Sequence, residues 1–294
     1  MNPLLPTPLY SMYRLVCNSP DCGGIAIARM PQLIDQDFTT NTTSHTHAYY
    51  EILWFEEAGG VHTVDFEDYP IQANTLLFIT PGQMHRFDGV TKHKGYSVIL
   101  CTEFFERYRD ATDFVRCSLF HSDDQSPYGT LPEASVPLVR TIMDKMLEEQ
   151  SEVQYGNQEM LRLLARILLL ELHRSIIRKN TLSKNEPSAS ERLFVKFRNL
   201  LEEEYMHLHL VSEYAERLDV STKTLTNAVK SVTNQTPLEY INERLLLDSK
   251  RLLRFSDLMV KEIAFQLGFN DPSNFVKFFK RQTGYLPSDF QMRT

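Results

Sequence analysis

The stretch Lys261–Phe290 reads KEIAFQLGFNDPSNFVKFFKRQTGYLPSDF, and it indicates how the last third of the chain folds. Ile263, Ala264 and Leu267 share one face of a short helix because they are spaced at i, i+1 and i+4. Gly268 follows at the helix end, where a residue that tolerates a positive φ is favoured. The first half of the stretch therefore predicts a short amphipathic helix that stops in a turn.

A second helix is predicted to begin directly after that turn. Asp271 supplies an N-cap oxygen, and Pro272 takes the first helical position, where its missing N–H costs nothing. An apolar stripe follows at helical spacing, formed by Phe275, Phe278 and Phe279. The opposite face carries side chains that can donate to phosphates and base edges, namely Ser273, Asn274, Lys277, Lys280 and Arg281. Together the two helices predict a helix-turn-helix.

The same pattern occurs once before, in Leu210–Tyr240, which reads LVSEYAERLDVSTKTLTNAVKSVTNQTPLEY. Ala215 matches Ala264 at an offset of 49, and Pro237 matches Pro287 at an offset of 50, so one residue has been added before the second recognition helix. Between the copies, apolar residues at helical spacing mark one long helix through Leu238, Ile241, Leu245, Leu252 and Leu253. The sequence predicts two tandem units separated by a rigid connector.

These features resemble the AraC/XylS family of bacterial transcription regulators, through A-x2-L-G-F at Ala264–Phe269, K-x2-T-G-x2-P at Lys280–Pro287 and the connecting helix. The resemblance implies two recognition helices on successive major-groove faces of double-stranded promoter DNA, with RNA polymerase as a further partner. It places six side chains at positions that face bases: Lys223, Thr226 and Asn227 in the first unit, and Ser273, Val276 and Lys277 in the second.

The first unit departs from the family pattern at four positions. Asp219 and Asn234 stand where glycine is usual, although both residue types tolerate the left-handed region better than most. Ala228 and Val229 replace bulkier, more basic residues. The first unit is therefore expected to contribute less phosphate affinity or to read DNA more weakly.

Length and charge indicate two domains of different character. A chain of 294 residues exceeds one ordinary core. The net charge of −7 alone argues against a nucleic-acid partner, but residues 189–294 hold 15 Lys/Arg against 14 Asp/Glu, which leaves 16 against 24 before them. The acidic excess belongs to the N-terminal part, and the C-terminal part depends on local clusters such as Lys277, Lys280 and Arg281 for phosphate attraction.

The chain carries no signal-like N-terminus and no apolar run long enough for a membrane span, so a cytoplasmic location without membrane contact is expected. The four cysteines, Cys17, Cys22, Cys101 and Cys117, are too sparse for a disulfide framework. The Cys17–Cys22 spacing is wider than that of zinc fingers and no second pair follows, so no zinc site and no cofactor are expected.

From His45 onward the sequence becomes β-rich. Short runs of aromatic and β-branched residues, punctuated by Gly, Pro and Asn, occur at Glu51–Phe55, Val61–Phe66, Thr75–Gly82 and Tyr96–Cys101. Such runs are typical of an antiparallel sandwich or barrel, here expected between residues 20 and 125. Trp54 falls on the strand face opposite His45 and is expected in outer-layer packing, while His62, His93 and His121 are expected at the surface or in turns.

The β region contains a polar cluster, which we call the cup cluster: His45, His47, Tyr49, Glu51 and His85. The first four lie on one face of an extended strand because their numbers are all odd. The spacings His-x-His-x3-Glu and Pro-Gly-x2-His resemble the two cupin motifs, which implies His45, His47, Glu51 and His85 as ligands for Fe, Mn, Ni or Zn. Sensor domains attached to AraC-like DNA-binding parts often keep such residues without a metal, and contact with a small-molecule effector is the favoured interpretation.

Two helices are predicted after the β region, from Val136 to Leu147 and from Leu161 to Ile176. The second is apolar around more than half its circumference, which suggests a partner surface beyond intrachain packing. By likeness to the family, it is the expected site of a homodimer contact through antiparallel helices. The alternative is ordinary packing within the chain.

The predicted fold class is α+β. Residues 1–180 form a cupin-like antiparallel β-barrel with a helical dimerisation layer, 181–190 a linker, and 191–294 an all-α domain with two helix-turn-helix units joined by a long helix. The predicted function is sequence-specific transcription regulation, not catalysis, controlled by an effector that could be a sugar. The alternatives are a metal-dependent cupin enzyme acting through His45, His47, Glu51 and His85, and helical pairs that bind a protein partner.

Overall fold

The computed structural model describes residues 24–30, 42–89, 92–107, 115–116, 118–120, 127–152, 154–177 and 188–292. The chain divides into two compact units, Met1–Ser183 and Lys184–Thr294. Residues 181–187 of the predicted linker, together with Cys17, Cys22, Cys117 and His121, lie outside the described residues. No helix in the described part of the chain is long and apolar enough to cross a membrane.

The first unit contains two antiparallel sheets. Its strands are β1 (Ile25–Arg29), β2 (Tyr50–Phe55), β3 (Val61–Val64), β4 (Glu67–Pro70), β5 (Thr75–Ile79), β6 (His85–Phe87), β7 (Gly95–Leu100) and β8 (Tyr128–Thr130). One sheet has the order β1-β7-β2-β5-β8 and the other the order β4-β3-β6. The four predicted runs correspond to β2, β3, β5 and β7, and closure of the sheets into a barrel stays a prediction.

The expected end of the β region at residue 125 is wrong. β8 lies beyond it and pairs with β5 at the edge of the larger sheet, with Leu76 opposite Gly129. The polar composition of the preceding stretch hid this strand. With three residues, β8 is also too short to show the alternation that marks a strand.

β2 separates two cores. On one face, Ile52 and Trp54 belong to an apolar cluster that includes the helices of this unit. Trp54 is fully buried and stacks on Tyr96, so it packs inside this cluster. On the other face, Leu53 and Phe55 pack in a second cluster with residues of the smaller sheet. Alternation along one strand therefore directs Glu51, which shares the parity of Leu53, toward the second cluster.

Helices cover the larger sheet of the first unit. Those whose bounds lie within the described residues are α1 (Thr102–Arg107), which precedes β8, a 3₁₀ turn (Glu133–Ser135), α2 (Val136–Ser151) and α3 (Asn157–Ile177). α2 and α3 confirm the two helices that the periodicity predicts. Their buried side chains, such as Val139, Met143 and Leu168, join the cluster around Trp54.

The second unit is entirely helical in its described residues. Its helices are α4 (Ala189–Glu204), α5 (Val211–Arg217), α6 (Thr222–Thr233), α7 (Pro237–Phe255), α8 (Val260–Gln266), α9 (Pro272–Thr283) and α10 (Pro287–Met292). α5–α6 and α8–α9 are the two predicted helix-turn-helix pairs, and α7 is the predicted connector.

The local signals in the second unit act as the sequence predicts. The Asp271 side chain accepts a hydrogen bond from the Ser273 N–H, and Pro272 begins α9. Gly268 and Gly284 have φ of 79° and 80°, and Asp219 and Asn234 adopt φ of 53° and 63° at the corresponding positions of the first pair. The two non-glycine residues therefore make the left-handed turns that glycine makes elsewhere.

Candidate ligand cup and nucleic-acid interface

The recognition helices α6 and α9 each bury one stripe and expose the opposite one. Leu225 and Val229 of α6, and Phe275 and Phe279 of α9, are fully buried. Of the candidate DNA contacts, seven side chains are exposed: Lys223, Asn227, Ser273, Asn274, Lys277, Lys280 and Arg281. Thr226 and Val276 are half-buried, beside the buried stripe. Each helix therefore offers a polar face that no part of its own fold covers.

The charge on the two faces differs. Lys277, Lys280 and Arg281 of α9 form no ion pair among the described residues, whereas Arg217 and Arg244 elsewhere in the unit do. α6 carries only Lys223 and Lys230. Unpaired cations retain their full attraction for phosphate, so the second pair has the stronger electrostatic face.

The first unit brings the cup cluster together. The prediction that His45, His47 and Tyr49 share a strand with Glu51 is wrong, because all three precede β2. A main-chain bridge between His45 and His85 draws their segment to the start of β6. The Nε2 atoms of His47 and His85 lie 3.2 Å and 3.6 Å from Oε2 of Glu51. All these side chains are buried.

The other two members flank this centre. Tyr49 stacks on His47 with ring centroids 3.9 Å apart and 7° between the planes. The ring of His45 lies 4.3 Å from that of His85, and its Nδ1 donates to the carbonyl oxygen of Thr43. The five residues that the sequence singles out therefore form one buried group.

Burial and local contacts set the charges in the cup cluster. Burial raises the pKa of the Glu51 carboxyl, but the hydrogen bond and charge of His47 and the Ser97 hydroxyl outweigh it and leave that pKa below its usual value. Burial, with the neighbouring imidazoles, holds the pKa of His85 well below its usual value. Burial and the charge of Glu51 raise the pKa of Tyr49. The group therefore combines a carboxylate with a neutral His85.

The expectation of surface or turn positions is wrong for His62, which lies in β3, and His93 lies between β6 and β7 but is not at the surface, since the two are 0% and 3% exposed. The His62 ring lies 5.6 Å from that of His85, and burial lowers its pKa to about 3. Neither ring nitrogen of His62 has a hydrogen-bond partner among the described residues. The signal was the parity of β3, because His62 shares the inward face with Val64.

A unit with a buried polar cluster, followed in the chain by two helix-turn-helix pairs, defines the class of ligand-responsive transcription regulators. Two family models match the chain: one described as AraC-like ligand binding domain over residues 32–194, more than half of the chain, and one described as helix-turn-helix domain over residues 214–293. The chain belongs to the AraC family of DNA-binding transcription regulators, whose activity a small-molecule effector controls.

The curated relatives include the transcriptional activator RhaS of Escherichia coli O6:H1, 25% identical over 277 residues that cover 92% of this chain and 93% of the relative. Among solved structures, ToxT of Vibrio cholerae is 14% identical, with a TM-score of 0.38, over 91% of this chain and 97% of that one. The C-terminal domain of the response regulator YesN from Fusobacterium nucleatum is 28% identical, with a TM-score of 0.32, over 35% of this chain and 99% of that one.

Proposed function

We propose that α6 and α9 read two successive major-groove segments of promoter DNA, about one turn or roughly 10 bp apart. One observation carries this proposal: two capped helices of one unit each expose a polar stripe opposite a fully buried one. The base-facing candidates are Lys223, Thr226, Asn227, Ser273, Val276 and Lys277, with Asn274, Lys280 and Arg281 toward the backbone. Phosphate contacts position the helices, and base contacts specify the sequence.

The test measures the affinity of the full chain for duplexes selected from a randomised library, over a range of salt concentrations. Lys277→Ala is expected to weaken binding, to relax preference in one half of the site, and to reduce the salt slope by about one. Lys145→Ala removes an exposed, ion-paired lysine from α2 and serves as the matched control. Affinity of Lys277→Ala equal to wild type for every sequence would contradict the assignment. A salt-independent affinity would favour a protein-binding role for the helices.

A small effector bound at His45, His47, Tyr49, Glu51 and His85 is proposed as the regulatory input. Polar groups buried together around a carboxylate suit a hydroxylated ligand, and a sugar fits these donors. The effector alters transcription only through different affinities for two arrangements of the chain. Thermal unfolding of the full chain with sugars and other metabolites tests this, because a ligand at 100 times its Kd adds about 2.7 kcal/mol.

A second copy of the chain is the proposed partner of α3. Met160, Leu163, Ile167 and Leu170 recur at spacings of three and four and are between 43% and 51% exposed. A stripe of this kind is buried when two antiparallel helices pair. The resulting dimer would carry two DNA-binding units.

Transcription activation through RNA polymerase, in the cytoplasm where promoter DNA is available, completes the proposal, by likeness to the activator RhaS. No catalytic role is proposed. The relatives are regulators, and two recognition helices have no use in a cupin enzyme.

A further inference from the structure

The carboxylate of Glu51 is buried, and the groups that face it are imidazoles and a hydroxyl rather than a lysine or an arginine. Its side chain is 7% exposed, and no lysine or arginine among the described residues forms an ion pair with it. Oε1 accepts a hydrogen bond of 2.5 Å from the Ser97 hydroxyl, while Oε2 faces the two imidazoles. A buried carboxylate is costly unless hydrogen bonds and a nearby positive charge compensate it, and a cation bound between the carboxylate and the two imidazoles would supply such a charge.

The tautomer of His85 leaves one ring nitrogen facing Glu51. Nδ1 of His85 lies 3.2 Å from the carbonyl oxygen of Gln83, which can only accept, so Nδ1 carries the proton. Nδ1 is thereby used by the main chain, and Nε2 is the ring atom of His85 that faces Oε2 of Glu51, at 3.6 Å. A cation placed between these two atoms would contact both. An imidazole whose second nitrogen donates to a main-chain carbonyl is also the usual form of a metal-ligating histidine.

The donor geometry fits a small ion. One ligand atom each from His47, Glu51 and His85 lies within 4.8 Å of the others. In a tetrahedral site with bonds of about 2.1 Å, ligand atoms lie about 3.4 Å apart. The contacts of Glu51 Oε2 with the two imidazoles, at 3.2 Å and 3.6 Å, are close to that value. Two imidazoles and one carboxylate suit divalent first-row transition metals, and His45 is not part of this group.

We propose that His47, Glu51 and His85 bind one divalent transition-metal ion, and that oxygen atoms of the effector fill the coordination positions that the protein leaves open. The proposal rests on the effector site proposed above. It makes the effector a chelating molecule, such as one with vicinal hydroxyls or a hydroxyl beside a carboxylate. The unpartnered ring nitrogens of His62, in the same interior, are then available to bind the same molecule.

The test uses the full chain, stripped with a chelator and titrated with Co²⁺, whose visible spectrum reports its ligands. One Co²⁺ per chain is expected, displaced by Zn²⁺. Glu51→Gln and His85→Gln are expected to weaken binding at least 100-fold, while His93→Gln, a buried histidine outside the ligand set, keeps it. Circular dichroism of each variant establishes that it is folded. Azide, which binds only an open position, is expected to shift the Co²⁺ spectrum.

The proposal fails if the folded wild type binds no Co²⁺, or if Glu51→Gln and His85→Gln both bind it as wild type does. An azide-insensitive spectrum overturns the open position. Failure of the metal site can be told apart from failure of the effector site. The thermal unfolding of the same stripped protein, measured with sugars and other metabolites, reports effector binding separately. A metabolite-induced stabilisation without Co²⁺ binding removes the metal and leaves the proposed function.

Discussion

His209 joins the two helix-turn-helix pairs through a contact with Leu267: its Nε2 donates a hydrogen bond of 3.0 Å to the Leu267 carbonyl oxygen. The His209 ring also lies 5.0 Å from that of Phe269. A Cβ on Gly268 would lie 1.8 Å from the carbonyl oxygen of Met206. The turn of the second pair therefore rests on the segment that precedes the first pair. α7 is one link between the recognition helices, and this contact is another.

Gly268→Ala is expected to destabilise the second unit by more than about 3 kcal/mol, because it adds a main-chain clash to a left-handed φ. Gly284→Ala is the matched control: its φ is 80°, yet a Cβ there meets nothing within 4 Å. It is expected to cost only about 1–2 kcal/mol, the strain of the backbone alone. Urea unfolding followed by circular dichroism measures both. Equal losses in the two variants would show that the close approach to Met206 has no energetic consequence.

His209→Ala is expected to loosen the spacing of the two recognition helices and to leave each helix folded. The lost hydrogen bond corresponds to about 1 kcal/mol, so the preference for the best half-site spacing over one changed by a base pair should fall roughly fivefold. Fluorescence anisotropy with duplexes of both spacings measures this ratio. His207→Ala, exposed in the same segment, should leave it unchanged. A ratio that falls equally in both variants would point to general damage.

The helical unit was predictable because its signals are local. Asp271 and Pro272 start a helix, and Gly268 ends one, whatever surrounds them. The His209–Leu267 contact was not predictable, since it joins residues 58 positions apart that no periodicity relates. Sequence patterns describe elements, whereas contacts of this kind depend on where the elements pack.

In the first unit, the cup cluster was predictable from its spacing, but its detailed arrangement was not. Odd numbering groups His45, His47 and Glu51 in the sequence, yet the two histidines precede β2. The main-chain bridge between His45 and His85, which sequence spacing does not predict, is what brings His85 to the group. His62 was missed because the parity of β3 groups it with Val64 but does not say which face of so short a strand is buried. Its burial depends on the pairing of β3 with β6.

α7 is anchored to the unit by a buried ionic network around Asp248. Arg244 donates to Asp248 and to Glu202 at the end of α4, and its guanidinium lies 4.0 Å from the centre of the Tyr205 ring. Arg251 and the Tyr205 hydroxyl also donate to Asp248. Burial raises the pKa of Asp248, but the two guanidinium groups and the tyrosine outweigh it and lower the pKa to about 2.

Acid is expected to destabilise the second unit through Asp248. The folded pKa lies below the unfolded value of 3.8, so the stabilisation is fully present above about pH 5 and is lost as the pH falls toward 2. The difference corresponds to roughly 2 kcal/mol. Urea unfolding between pH 5 and pH 2 should show a steeper loss in wild type than in Asp248→Asn. Asp248→Asn should already be destabilised by about 3 kcal/mol at neutral pH, because it leaves guanidinium groups uncompensated.

The matched control for this prediction is Asp289→Asn, an exposed carboxylate in the same unit. Its pH profile should follow that of wild type. If Asp248→Asn shows the same acid-dependent loss as wild type, then other carboxylates determine the acid sensitivity.

The exposed stripe of α3 is the proposed dimer contact, and a substitution at Ile167 tests it. Ile167→Asp is expected to raise the dimer dissociation constant at least 100-fold, since it would place an unpaired carboxylate in an apolar interface. Leu210→Asp is the control because Leu210 is 60% exposed and lies in the other unit. Sedimentation equilibrium across micromolar concentrations should give dimers for wild type and Leu210→Asp but monomers for Ile167→Asp.

A wild-type chain that stays monomeric at 100 µM would show that there is no dimer. An Ile167→Asp chain that dimerises as wild type does would place the interface elsewhere. Because Ile167 lies beside the buried Leu168, melting temperatures of the three proteins must agree within a few degrees for this comparison to report assembly alone.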